Sequence, residues 1–325
     1  MRGLPLPRGL TKSVHFGLEQ IAEGVYAAIA CRGGAAHSNA GIVDLGDRTL
    51  VFDTLGTPQA AEDLRVAAEQ LTGRPATYVV NSHGDHDHWL GNQVFASDSI
   101  VISTSKTREG MVNRGAAYIR RCKENPAVLE EQIRAVEERL QSEMDERWRV
   151  SLEGRAAGLG NELDALPKLV LCFPDQTFEE KLVFYGTRRT VELLTWGGGH
   201  SSSDAFLLLP ADRIAFMGDL GFFQFHFPLM GGDRHELATT LESLLALELE
   251  TYVPGHGPLG SKADIRLQIK YIAALEALAA QVVELGGSAD EAAQQLIPTP
   301  FDAWSHGMGL FGANMRYLYQ RLSGE

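Results

Sequence analysis

One loop of the sequence concentrates the residue types that bind metals. The stretch NSHGDHDHWLGN at 81–92 carries five potential ligands within six positions: His83, Asp85, His86, Asp87 and His88. Imidazole and carboxylate are the groups that a borderline divalent ion prefers, and a turn lets such side chains converge on one point. A hydrated polar loop is the alternative, but ionisable groups this close together repel or desolvate one another unless something binds them. The loop therefore predicts a metal site.

Three later segments each end in glycine and one further potential ligand. TWGGGH ends at His200, IAFMGD ends at Asp219 and TYVPGH ends at His256, and each contains an apolar run typical of a strand. Any one of them alone is a weak signal, because a lone histidine after glycine is more often a hydrogen-bonded turn residue. Their joint order indicates that four loops meet at one edge of a sheet.

The elements before the His-rich loop place it at the end of a strand. Between Gly24 and Thr54 the runs GVYAAIA, AGIVDLG and RTLVFDT predict a meander of three strands. Thr57 followed by Pro58 predicts the start of a helix that ends at Gly73. The strand ATYVVNS then leads directly into the loop, and loops that leave strand ends commonly carry chemistry.

The second half of the chain repeats this strand-rich pattern. LVLCFPD, LVFYG, TVELLTW and the two parts of DAFLLLPADRIAFMGD predict strands, and Asp233 with Glu236 predicts a capped helix through Leu247. Strand clusters in both halves, each followed by helices, suit two sheets packed face to face with helices on the outside. The predicted fold class is therefore α/β, a four-layer αββα sandwich.

The segment from Lys106 to Lys168 differs in composition from the rest. It has 24 charged residues among 63, whereas charged residues make up 22% of the chain. One apolar stripe at helical spacing runs through Leu129, Ile133, Val136, Leu140 and Met144. We therefore expect a single domain over 1–325 with a helical insertion at 106–168, which lies over the site or builds a dimer contact.

Composition and charge exclude several classes of protein. With 44% hydrophobic residues the chain is an ordinary globular protein, and its net charge of −13 argues against nucleic acid as a partner. No apolar run is long enough for a membrane helix, and the opening MRGLPLPRGL does not suit a signal peptide. We therefore expect a cytoplasmic protein with a small-molecule substrate and no membrane partner. Cys31, Cys122 and Cys172 have no paired spacing, so we expect buried thiols.

The sequence resembles the metallo-β-lactamase-fold hydrolases, whose signature is a His-x-His-x-Asp-His loop followed by His, Asp and His on separate strand ends. The segments SNAGIVDLG, LVFDT, DHWLGN, GGGHSSSD, FMGD and VPGHGP carry the resemblance, which leaves only 106–168 outside. The resemblance implies two divalent metal ions, with zinc expected and manganese or iron as alternatives. It assigns His83, Asp85 and His200 to the first ion, Asp87, His88 and His256 to the second, and Asp219 to a bridge between them.

Asp85 departs from the family pattern, because most members have a second histidine at that position. The DHWLGN tail fixes the register of Asp87 and His88, so His86 falls at the variable position and is expected to face substrate or pack locally. A carboxylate at Asp85 is a harder ligand than imidazole and favours harder ions such as manganese or iron. The alternative is that Asp85 lies in the loop without reaching a metal.

The resemblance also implies a mechanism and further site residues. Two ions about 3.5–4 Å apart would hold a bridging hydroxide, and Asp87 would be the catalytic residue that orients and deprotonates the water. Asp53 is a candidate partner for a ligating histidine or a simple turn-capping residue. The pocket entrance could be lined by His226, Trp304, His306 and Phe311, or these residues could pack in the core.

The leading hypothesis is a binuclear metal hydrolase that acts on a small ester, lactone, thioester or amide-like bond. Phosphodiesters and sulfate esters are alternative substrates within the same fold. A di-iron redox protein is a second alternative, because flavodiiron proteins also have a carboxylate at the position of Asp85, but no flavin domain follows before Glu325. A binding protein that retains the fold without turnover is the third.

Overall fold

The computed structural model describes residues 6, 10–305 and 307–324, and its strands form two sheets. The seven strands of the first sheet, in spatial order, are β1 Phe16–Ala22, β2 Val25–Ala30, β3 Ala40–Asp44, β4 Thr49–Phe52, β5 Tyr78–Val80, β6 Ile100–Thr104 and β7 Gln176–Phe178. The five strands of the second sheet are β8 Lys181–Tyr185, β9 Thr190–Thr195, β10 Ala205–Leu209, β11 Ile214–Phe222 and β12 Thr251–His256. The first sheet thus comes entirely from residues 16–178 and the second sheet from residues 181–256, so each sheet is built from one continuous stretch of the chain.

Ten α-helices lie among the described residues. They are α1 Pro58–Thr72, α2 Asn92–Phe95, α3 Ser105–Gly110, α4 Ala116–Glu124, α5 Ala127–Ser142, α6 Glu146–Ala165, α7 Arg234–Ala246, α8 Lys262–Glu284, α9 Ala289–Ala293 and α10 Gly307–Ser323. Short 3₁₀ turns cover His86–His88, Leu166–Lys168 and Phe301–Ala303, and a π-helical turn covers Met111–Gly115. None of the helices in the described ranges is long and apolar enough to cross a membrane.

Connection lengths explain the strand directions. β1 to β4 pair antiparallel through two short turns and the loop at 31–39, whereas β4, β5, β6 and β7 pair parallel, and parallel neighbours need crossovers. Helix α1 crosses over between β4 and β5, with the Thr57 hydroxyl capping its first turn and Gly73 ending it at φ 74°. The helices from α3 to α6 carry the chain from β6 to β7.

The core divides into three layers of apolar contact, which confirms the predicted αββα arrangement. Between the sheets, residues such as Phe52 pack against Phe216 and its neighbours. The outer face of the first sheet packs on α1, and that of the second packs on α7, α8 and α10. Gly41 lets the sheets approach closely, because a Cβ there would lie 2.4 Å from the Phe216 ring.

Several local expectations differ from the structure. The predicted strand LVLCFPD at 169–175 is irregular. Leu169 packs with Trp89 of the His-rich loop, and the segment meets the first sheet at its last residue, where the Asp175 N–H donates to the Val101 carbonyl of β6. Strand β1 was not predicted from the sequence. The apolar stripe of the insertion ends with α5 at Ser142, so Met144 lies beyond that helix and is exposed. Cys31 is exposed and not a buried thiol, since it sits in the turn after β2.

Candidate metal centre

The His-rich loop is fixed at both ends by a pair of amide side chains. Asn81 donates to the Oδ1 atom of Asn92 at 3.0 Å, and Asn92 donates back to Asn81 at 2.9 Å. Within the loop, the indole N–H of the buried Trp89 donates to the carbonyl of Gly84 at 3.0 Å. These bonds hold the loop in one shape where β5 ends, and the 3₁₀ turn that follows turns Asp87 and His88 toward the second sheet.

A first group of four ligand atoms gathers beside this loop. The Oδ2 atom of Asp85 lies 3.5 Å from His83 Nε2 and 3.2 Å from His200 Nε2. Asp219 Oδ2 lies 3.6 Å and 3.3 Å from the same two nitrogens. The loop after β5 therefore supplies two residues to this group, and the loop between β9 and β10 and strand β11 supply one each.

A second group forms around the other oxygen of Asp219. That oxygen, Oδ1, lies 3.1 Å from His88 Nε2 and 3.3 Å from His256 Nε2. The Oδ2 atom of Asp87 lies 3.6 Å and 3.3 Å from these nitrogens. The predicted ligands thus divide into the two expected groups, and Asp219 presents one oxygen to each.

The spacing of these atoms fits bound metal ions. Four ligands at tetrahedral zinc-type bond lengths of about 2.0–2.1 Å lie about 3.3–3.4 Å from one another, close to the separations found here. Three atoms that face the two groups are buried and have no aligned hydrogen-bond partner, namely His83 Nε2, His88 Nε2 and Asp219 Oδ1. Buried polar atoms without partners are costly, and metal ions would satisfy them.

Asp219 was expected at the end of a strand, but it lies inside β11. The pairing of β11 with β12 shifts register around Gly218, whose φ is 53°, and the irregularity accompanies the turn of Asp219 toward the centre. Gly255 on β12 leaves room for the carboxylate, because a Cβ at that position would lie 2.0 Å from Asp219 Oδ1. Sequence reasoning missed Gly255, although its place beside His256 was visible.

Asp53 orients two of the histidines. Its carboxylate accepts from the Ser82 N–H at 2.7 Å and the Ser82 hydroxyl at 2.8 Å, and it lies 2.8 Å from His88 Nδ1. Because the Ser82 hydroxyl gives its hydrogen to Asp53, it accepts from His83 Nδ1 at 3.0 Å. Both imidazoles therefore carry hydrogen on Nδ1 and direct Nε2 at the centre, the atom with which they would bind a metal. Asp53 adopts φ 61°, an uncommon conformation that often marks functional positions.

Replacing Asp53 with asparagine is expected to weaken metal binding by about 10–100-fold, because the amide cannot accept all three hydrogen bonds and the histidines lose their fixed tautomer. Competition with a chromogenic chelator measures the dissociation constants. Asp63→Asn is the matched control, since Asp63 lies on α1, outside both ligand groups, and accepts from the Ser13 hydroxyl. Equal metal affinity in Asp53→Asn and the parent would return Asp53 to a turn-capping role.

The charges of the two groups depend on one another. Burial alone would raise the pKa of Asp87, but the His88 and His256 imidazoles hold it well below its usual range. Burial lowers the pKa of His200, but Asp219 and Asp85 raise it to about 9, and Asp219 and Asp87 raise that of His256 to about 10. The cluster without metal thus holds protons at neutral pH, and a metal ion would displace them.

Bonds from other parts of the chain fix the remaining ligands. The Ser38 hydroxyl donates to the carbonyl of Asp87 at 2.5 Å. Asn39 donates to the carbonyls of Pro254 and Gly257 at 2.9 Å each, on either side of His256. The SNAGIVDLG segment contains both residues, but local sequence gives no sign of these partners.

His86 belongs to neither ligand group. Its ring lies 4.7 Å from the ring of Tyr118 on α4, and both residues line the cavity beside Asp85. This position agrees with the expected place of the variable residue between the ligands.

The proposed entrance residues lie elsewhere. His226 is fully buried, with Nδ1 2.9 Å from the Tyr271 hydroxyl and Nε2 2.9 Å from the carbonyl of Phe301. Trp304 and Phe311 pack in the same aromatic cluster. The entrance role proposed for these three is therefore wrong and the alternative, core packing, holds, because the aromatic residues of α8 and α10 enclose them. His306 lies outside the described residues.

Acid is expected to destabilise the fold through His226. Burial lowers its pKa to about 4, so between the ordinary pKa of 6.5 and pH 4 the unfolded chain binds a proton that the folded chain does not. The free energy of unfolding therefore falls as pH falls through this window, by about 3 kcal/mol in full. Urea unfolding at pH 7 and pH 4.5 measures this free energy, and its fall between the two pH values should be smaller for His226→Gln than for the parent protein. An equal fall in the two proteins would contradict the role assigned to His226.

A family model described as the metallo-β-lactamase superfamily matches residues 33–256. No curated protein matches the sequence at a significant level.

Solved structures share the fold at low sequence identity. A metallo-β-lactamase from Pontibacter korlensis is 17% identical with a TM-score of 0.55, and the match covers 79% of this chain and 99% of that one. One from Hirschia baltica is 13% identical with a TM-score of 0.55 and coverage of 79% and 97%. The stereoselective inverting sec-alkylsulfatase Pisa1 from Pseudomonas sp. is 18% identical with a TM-score of 0.65, over 94% of this chain and 50% of that protein.

Proposed function

Because the chain belongs to the metallo-β-lactamase superfamily and is a metal-dependent hydrolase, we propose that it works with two metal ions on a small ester, lactone, thioester or amide-like substrate. The observation that carries this proposal is the position of Asp219, which offers one oxygen to each of two ligand groups. A single-metal site would not need both groups.

Each of these side chains would have a separate role in metal binding or catalysis. His83, Asp85 and His200 would hold one ion, Asp87, His88 and His256 the other, and Asp219 both. Two divalent ions would supply a water acidic enough to react near neutral pH and an electrophile for the substrate oxygen. Asp87 is partly exposed and its low pKa keeps it an acceptor, so it would orient the attacking water. Asp53 would keep His83 and His88 fixed throughout.

Steady-state kinetics on the metal-loaded protein test the function. Among matched phenyl esters, lactones, thioesters and anilides, at least one should be hydrolysed by the metal-loaded protein and not by the chelator-treated control. Elemental analysis should give two metals per chain. A stoichiometry that stays at one under saturating metal would defeat the binuclear proposal. Zinc or manganese without colour supports hydrolysis, whereas an iron charge-transfer band supports the di-iron redox alternative.

Asp85→His is expected to keep the fold and the metal site while shifting preference from manganese or iron toward zinc, because neutral imidazole replaces a hard, charged oxygen. Asp85→Ala should bind the first ion more weakly than Asp85→His, since it removes a ligand outright. Metal content and dissociation constants of the three proteins decide this. Parental affinity in Asp85→Ala would show that Asp85 lies in the loop without binding metal.

A further inference from the structure

A cavity of about 310 Å³ opens beside the first ligand group. Its lining includes the ligand candidates Asp85 and His200. The rest is formed by the neighbours of Asp85 in the His-rich loop, by the helical run after β6 and by the loops at 201–202 and 228–231. This volume is at the lower end of the range of about 300–1,000 Å³ that holds small molecules. A substrate whose reacting bond lies at the ligand groups would therefore extend into this cavity.

Two cations face the cavity from one helical surface. Helix α3, the π-helical turn and α4 follow one another without a break, and Lys106, Gly110 and Arg114 recur along them at four-residue spacing. Gly110 leaves space between the two cationic side chains, because a Cβ there would meet nothing within 3.4 Å and only Arg114 Nη2 at 3.9 Å. π-Helical turns are frequent at functional sites.

These cations have no counter-ion among the described residues. Neither Lys106 nor Arg114 forms an ion pair with any part of the chain that the structure describes, and Asp85 is the one acidic residue of the cavity lining. Asp85 is itself held between His83 and His200. The cavity is thus locally cationic in a chain whose net charge is −13.

We propose that Lys106 and Arg114 bind an anionic group of the substrate, so that the substrate is an ester or related compound with a separate carboxylate, sulfonate or phosphate. This inference rests on the proposed function for the position of the reacting bond. Guanidinium and ammonium groups make charge-assisted hydrogen bonds to such oxyanions, and a planar guanidinium can bind two oxygens at once. Ser202 of the loop at 201–202 also lines this cavity and brings a further hydroxyl to it.

Turnover of matched esters tests the preference. Metal-loaded protein should have a kcat/KM for 4-nitrophenyl hydrogen adipate at least about tenfold above that for 4-nitrophenyl heptanoate, as expected for hydrogen bonds to a charged group. The ratio of the two kcat/KM values should approach one in the double variant Lys106→Gln with Arg114→Gln. The control pair Lys270→Gln with Arg120→Gln removes two exposed cations outside the cavity and should keep the parental ratio. A ratio that does not change in the cavity variant would overturn the proposal.

Binding without turnover separates this inference from the proposed function. Calorimetry on metal-loaded protein compares heptanoate with heptanamide, and hexanesulfonate and hexyl phosphate distinguish carboxylate from larger oxyanions. Affinity for the preferred anion should fall at least about tenfold in the double variant. It should also fall in Gly110→Leu, which keeps both charges and fills the gap between them.

An anion that binds in this way supports the cavity assignment even when no ester is hydrolysed, and only the proposed function then fails. Equal binding by the parent and the double variant would mean that the metals alone hold the anion. That result would overturn the assignment, as would tighter binding of heptanamide.

Discussion

Asp219→Ala is expected to lose both metal ions and to lower kcat/KM by more than about 10³-fold, which exceeds the usual loss for a single oxyanion-stabilising group. Each oxygen of Asp219 lies within 3.3 Å of a histidine nitrogen in a different ligand group, so one substitution weakens both groups. It also removes the carboxylate that contributes most to the raised pKa values of His200 and His256. Elemental analysis and steady-state kinetics measure the two effects.

Asp98→Asn provides the control for removal of a carboxylate, because Asp98 is exposed, lies outside both ligand groups and accepts from the neighbouring Ser97 hydroxyl. Circular dichroism should show the same fold for all three proteins. Two metals retained by Asp219→Ala would mean that the two groups bind independently, and Asp219 would then not be a bridge.

Gly255→Ala is expected to lower kcat/KM by about 10²-fold, as a displacement of about 1 Å in a catalytic group does. The added Cβ would lie 2.0 Å from Asp219 Oδ1 and 2.8 Å from the backbone of Gly218. The carboxylate or the pairing of β11 with β12 must therefore move, and the second ligand group should bind its ion more weakly. Dissociation constants for the two ions, measured by stepwise titration, detect this.

Gly17→Ala is the matched control, since Gly17 also lies in a strand and its added Cβ would meet nothing within 4 Å. Unfolding curves for both variants separate loss of stability from loss of metal. Normal metal binding by Gly255→Ala would show that β12 can move aside at no cost to the site.

Local sequence predicted the elements that local rules control. The cap at Thr57, the stop at Gly73 and the strands with continuous apolar runs all depend on neighbours in the chain. Strand β1, FGLEQIA, was missed because its largely half-buried residues lack such a run. LVLCFPD has the composition of a strand, but its leucines pack in the cluster around the buried indole of Trp89.

The same distinction applies to the site. The seven ligand candidates could be named from residue type and register, and the structure brings them into two groups. The alternatives for Asp53 and His226 could not be decided, because each depends on partners distant in sequence. Ser82 and His88 surround Asp53, whereas Tyr271 and Phe301 satisfy both nitrogens of His226. A histidine beside phenylalanines in a sequence does not reveal which of these environments it will have.

Each sheet is built from its own continuous stretch of the chain, 16–178 or 181–256, and this division gives the ligand groups a second role. His83 and Asp87 lie in the loop after β5, within the first stretch, whereas His200, Asp219 and His256 lie in the second. Each ion would therefore tie the two stretches together. A ligand that binds only the folded state adds stability in proportion to the logarithm of its concentration. Metal supply would then set the lifetime of the protein against proteases as well as its activity. Two fragments of the chain, divided between β7 and β8 and expressed separately, should reassemble best when the metal is present.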